Sequence, residues 1–184
     1  MLEQFLIEHC SPTLASLKTA NLFCYSYQKE DSLKEQVKLW NCQLAEKGVS
    51  VVILKERAEK ALIYVYRPNK LQEDLDRRDT ADFLTQYGYE AGFSLEQVLL
   101  HLQERFKNSD CFPHEIGLFL GYPLGDVVGF IENDGRNSKC SGCWKVYCNE
   151  CEAIRKFRKF KKCQTVYKKL FQQGRSVLQL TVAV

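Results

Sequence analysis

VSVVILKERAEKALIYVYR, residues 49–67, is the stretch on which the fold turns. Two runs rich in β-branched and aromatic residues, 49–56 and 60–67, flank a short polar turn, the pattern of a β-hairpin. Two strands alone are marginal in water, so partners must cover them. NLFCYSY (21–27), dense in aromatics, reads as a buried strand able to join them.

Toward the N-terminus, residues 1–9 read as a short helix. Ser11 and Pro12 look like an N-cap and first helical position opening another turn or two through Leu17. Ser32 and Glu35 form a capping box for a helix carrying Leu33, Val37, Trp40 and Leu44, ended by Gly48. Beyond the hairpin, Asn69 caps a helix with Leu71 and Leu75, and a further piece holds Phe83 and Leu84. Ser94 and Gln97 form a second capping box, opening a helix with Leu95, Val98, Leu99, Leu102 and Phe106. EIGLFLGY (115–122) suits a strand, and Pro123 starts a helix to about Ile131. WKVYC (144–148) suits another strand. Asn149 and Glu152 open the last helix, Gly174 closes it, and SVLQLTV (176–182) reads as the final strand. The pattern predicts a mixed, mainly alternating α/β fold: one domain over 1–184, with a single mixed sheet of about six strands flanked by helices.

Hydrophobic content of 45% with 27% charged residues is ordinary globular composition. The N-terminus lacks a basic n-region, and no apolar run approaches the roughly 20 residues a membrane helix needs. Nine cysteines without an export signal suit free thiols, so the expected location is cytoplasmic, with no membrane partner. Net charge is +3, unevenly spread. Residues 136–184 carry 12 basic against 2 acidic side chains, and the remaining 135 carry 14 against 21.

Four of the cysteines lie in CSGCWKVYCNEC (140–151) as two CxxC pairs. A tetrahedral zinc site needs four thiolates about 2.3 Å from one ion. If Cys143 and Cys148 bound an extended strand, their Cα atoms would stand roughly 16 Å apart with side chains on opposite faces. On that reading Cys140, Cys143, Cys148 and Cys151 share no metal, and none is expected. A two-cysteine site completed by a histidine or a second subunit stays open. Cys148–Cys151, at a helix start, is the better placed pair for thiolate chemistry.

FPHEIGLFLGYPLGDVVGFIEN (112–133), followed by GCWKVYCNE (142–150), resembles the signature of an uncharacterised bacterial family, a domain of unknown function. HCSPTLASLKTANLF (9–23) and KKCQTVYKKLFQQGRSVLQLTVA (161–183) are similar to its ends, so the resemblance spans nearly the whole chain. It implies no activity and assigns no catalytic residue.

The motif itself holds no complete catalytic pattern. His114–Glu115 is not followed by histidine at the zincin spacing, because position 118 is Leu118. Gly117, Gly121 and Gly125, four apart, match neither the dinucleotide fingerprint nor the Walker loop, leaving any cofactor unknown; close packing is the simpler role. If strands 21–27 and 115–122 run parallel, His9, Cys10, Lys18, His114 and Glu115 share one sheet edge. Tyr122 stands at the opposite strand end, before a helix N-terminus that suits an anion. Asp126, in that helix's first turn, is read as complementing its dipole.

The last helix contains RKFRKFKK (155–162). Ala153, Phe157, Phe160, Tyr167 and Phe171 line one face, and Arg155, Arg158, Lys162 and Lys169 the other. The aromatics are thus core contacts, and the cations a solvated stripe. Three functional expectations follow. One is a ligand-binding or accessory protein for a small anionic ligand, metal or cofactor. Another is an interaction module, docking an acidic protein, a second copy or, less aptly, nucleic acid on the basic helix. The third is a thiol- or metal-dependent enzyme.

Overall fold

The computed structural model of the chain describes residues 1–28, 32–108 and 112–183. Its centre is the expected hairpin: β2 (Ser50–Arg57) and β3 (Lys60–Tyr66) pair antiparallel across a turn in which Ala58 takes φ +53°. β1 (Ala20–Ser26) pairs antiparallel with the other edge of β3, Ala20 opposite Tyr66 and Ser26 opposite Lys60, giving the order β1-β3-β2.

Alternation along β3 sends side chains to two different cores. Ala61, Ile63 and Val65 join Phe23, Tyr25 and Val51 on one face, under α1 (Leu2–Leu14), α2 (Leu33–Leu44), α8 (Glu150–Gln172) and α9 (Val177–Leu180). Leu62, Tyr64 and Tyr66 join Ala20, Leu22 and Leu54 on the other. That face is covered by α3 (Pro68–Leu75), α4 (Arg78–Thr85), α5 (Leu95–Asn108), α6 (Ile116–Phe119) and the start of α7 (Leu124–Glu132). A sheet buried on both sides explains why its strands read as nearly continuous apolar runs.

The single six-stranded mixed sheet is corrected to this three-stranded antiparallel sheet plus a two-stranded ribbon, β4 (Cys140–Ser141) with β5 (Lys145–Val146). Residues 115–122 form a helical turn, with Leu120 N–H bonded to Ile116 O at 3.0 Å and Tyr122 N–H to Gly117 O at 2.9 Å. Every residue from Glu115 to Leu120 is buried, and a short helix buried all round has no periodicity to separate it from a strand. With that strand gone, so is its parallel pairing to 21–27. Of 144–148 only Lys145 and Val146 lie in a ladder.

Residues 177–180 are helical because Ser176 and Gln179 make a reciprocal capping box, bonds of 3.2 and 3.0 Å. Pro12 does not open a new helix but sits inside α1, which runs unbroken to Leu14. Asn69 is not a cap either, since Pro68 already occupies the first turn of α3 after Arg67. The boxes at Ser94 with Gln97 and the cap at Asn149 form as expected. Ser32 precedes α2, without a side-chain cap bond.

Arg67, only 1% exposed, ties these layers together. Its guanidinium donates to Thr13 O (2.7 Å), Leu14 O (2.8 Å), Lys47 O (3.1 Å) and Val182 O (2.8 Å). The carbonyls at the end of α1, which lack helical i+4 donors, together with that dipole's negative end, stand in for a carboxylate.

Candidate functional site

The 112–148 region is built around Asp126, 3% exposed, in the first turn of α7. One carboxylate oxygen accepts from Trp144 Nε1 at 2.8 Å, and the other from the backbone N–H of Tyr147 and of Cys148, each at 2.8 Å. Asp126 therefore holds the ribbon to α7, a tertiary role added to its expected place in the helix's first turn. Gly125 lets the two approach, since a Cβ there would lie 2.3 Å from Cys148 Sγ. Gly121, at φ +73°, turns the chain from α6 toward α7, with Thr19 Oγ1 2.8 Å from where its Cβ would be. Tyr122 follows directly. Its ring stacks on Trp144 with centroids 4.8 Å apart, and its hydroxyl donates to Cys143 O at 3.2 Å.

Lys18 meets this platform from the other side of the chain. The turn after α1, with Ser16 at φ +57°, fixes it by bonds from Leu17 and Lys18 N–H to Pro12 O at 2.8 and 3.1 Å. The residue is 9% exposed, and Nζ lies 5.1 Å from the centre of the Tyr122 ring, a cation–π contact. Among the described residues it has no hydrogen-bond acceptor and no carboxylate within 4.0 Å.

It borders two clefts. One, of about 240 Å³, also meets His9, Asn21, Tyr122, Cys143 and Gln164. The other, of about 410 Å³, is strongly polar. Its other cations are occupied: Arg77 with Asp74 at 2.9 Å, Lys156 with Glu152 at 2.8 Å, and Lys70 with the carbonyl of Ser16. Asp74 also accepts from Thr19 at 2.5 Å, and Asp79 from the Thr80 amide at 2.9 Å.

Burial pushes the Lys18 ammonium down to about 8, against the opposing pull of the Cys143 and Cys10 thiols. Burial likewise pushes the Tyr122 hydroxyl up to about 12, so it stays a neutral donor. A third cavity, about 380 Å³ and mostly apolar, lies against Tyr122, Trp144, Leu22, His114 and Phe130.

The expected sheet-edge cluster is therefore split. His9, Lys18 and Tyr122 do share a cleft, with the exposed His9 ring stacked on Phe23 at 5.4 Å. Cys10 is fully buried within α1, and desolvation drives its thiol far up. His114 faces the apolar cavity instead, 5.0 Å from the Phe130 ring. Glu115, fully buried, turns inward to Arg105, whose Nε donates to it at 2.5 Å. With no strand at 115–122, no common edge exists to gather the five.

The paired cysteines have separate surroundings. Cys143 sits by Lys18 and Tyr122, Cys148 packs on Gly125, and Cys140 bonds toward Glu150. Among the described residues no three His, Cys, Asp or Glu side chains are grouped as metal ligands. Cys111 lies outside those residues.

Arg155, Arg158, Lys162 and Lys169 are exposed along α8, and none borders the three cavities around Tyr122. Phe160 is buried and Phe157 packs edge-on against Trp144 at 4.6 Å, so the aromatic face is core. No helix is long and apolar enough to cross a membrane among the described residues. Sequence reasoning missed Trp144 and Asp126 as site builders, because their meeting spans 18 residues and carries no local spacing signal.

The chain belongs to the family described as Protein of unknown function (DUF3793), whose model matches residues 6–181. No curated protein and no solved structure matches it.

Proposed function

We propose that this DUF3793 family member binds a small anionic ligand at Lys18, in the clefts bounded by Tyr122 and His9. The observation that carries this reading is a buried lysine whose ammonium has no counter-anion among the described residues, in a groove whose other cations have partners. Leaving a charge desolvated and unpaired is costly, and an incoming carboxylate or phosphate would relieve that cost. Tyr122 offers the ammonium only its ring face, and Asn21 and Gln164 supply neutral hydrogen-bonding groups nearby. Such a balance of one cation, amides and aromatic walls suits a compact anion. The four cations on the basic face of α8 border none of these clefts.

The test is calorimetric titration with inorganic phosphate and with small carboxylates, from pH 6.5 to 9.5. Binding requires the charged amine, so affinity is expected to hold below pH 8 and to fall as pH rises through that value. Lys18→Met should lose at least tenfold in affinity, and Lys18→Arg should retain most of it. Equal binding by wild type and Lys18→Met would refute the reading.

A further inference from the structure

We infer that Lys18 is a carbonyl-reactive amine, condensing with a small anionic aldehyde or ketone to form an imine in the cleft beside Tyr122. This rests on the anion-binding reading and adds the chemical class of the ligand. The geometry is that of a nucleophile kept free. Lys18 Nζ has no acceptor and no carboxylate partner among the described residues, yet it borders two clefts of about 240 and 410 Å³. A lysine held in an ion pair keeps its proton and its lone pair is unavailable; one that is desolvated by burial and has no ion pair gives the proton up more readily, the cation–π contact with Tyr122 being a weaker hold than a carboxylate.

Burial also lowers its basicity to about 8, so roughly a quarter of the amine is neutral at pH 7.5, where an ordinary lysine has about one part in a thousand. Both forms coexist near neutrality. The charged form attracts the anion and the neutral form attacks.

The step balances without a redox partner. The Nζ lone pair forms a bond to the carbonyl carbon, and the carbonyl oxygen takes the proton that the nitrogen sheds, giving a neutral carbinolamine. Its hydroxyl takes one further proton from solvent and leaves as water, while the nitrogen lone pair closes the C=N bond. The nitrogen keeps its last hydrogen, so the protonated imine carries that solvent proton's positive charge in the groove. Asn21 and Gln164 line the smaller cleft with side-chain amides that can donate to the ligand's carboxylate.

The full chain is exposed briefly to glyoxylate at pH 7.5 with cyanoborohydride, which fixes any imine as a carboxymethyl group, and is mapped by peptide mass spectrometry. Lys18 should be labelled at least tenfold faster than any other lysine, and excess phosphate should slow it. Labelling spread over exposed lysines, with Lys18 no faster, overturns the inference. Parallel phosphate titration of wild type and Lys18→Arg separates the two readings. Phosphate binding by both without Lys18 labelling leaves the anion site and removes the imine; Lys18 labelling without phosphate binding does the reverse.

Discussion

Two buried cations of this chain have opposite solutions to the same problem. Arg67 spends its N–H groups on four backbone carbonyls, whereas Lys18 has no acceptor among the described residues. The first is structural: planar, always charged, and able to bridge α1, the turn after α2 and the C-terminal segment at once. Arg67→Met should remove four hydrogen bonds; Thr13 O and Leu14 O keep backbone donors in Ser16 and Val182, but the tie between segments is lost and stability should fall by about 3 kcal/mol or more. Arg67→Lys should fall between, because an ammonium cannot reach four acceptors in that spread. Urea denaturation measures both, and an Arg67→Met midpoint matching wild type would contradict the assignment. In the sequence Arg67 was only the last letter of a strand, because its partners lie at positions 13, 14, 47 and 182 and no local pattern announces them.

At the level of elements, the 140–148 ribbon has too few ladder bonds to stand alone, and Asp126 supplies what it lacks. Asp126→Ala removes three hydrogen bonds, so the amides of Tyr147 and Cys148 should exchange at least tenfold faster, and Trp144 emission should shift to the red. Asp126→Asn should restore only part, since its amide nitrogen would face the Trp144 donor. Unchanged exchange in Asp126→Ala would show that packing alone holds the ribbon. The hairpin and most helices were legible, because 49–67 and the Ser94–Gln97 box carry local signals. The segments misjudged as strands were those where burial on all sides erased periodicity, as at 115–122. At 176–182 an S-x-x-Q cap was present and outweighed by β-branched residues. Of the five residues expected on one sheet edge only His9 and Lys18 share a cleft, and Tyr122, expected at the opposite strand end, joins them through the turn after α1 and the α6–α7 corner.

Over the whole molecule, the antiparallel sheet divides two cores, and Lys18 sits where their rims meet. The end of α1, the start of β1, the α6–α7 corner, the ribbon and α8 all converge there. The corner, the ribbon and α8 each bring a side chain to the cleft beside the amine without neutralising it: Tyr122, the Cys143 thiol and Phe160. Fold and proposed function thus depend on the same arrangement. The most direct test is a pH titration of the intact protein with lysine ε-carbons labelled, followed by NMR and assigned with Lys18→Met. One lysine resonance, absent from the variant, should titrate near pH 8. If the Lys18 resonance instead titrates at the roughly 10.4 of a lysine in water, burial does not act on its ammonium, and the account fails.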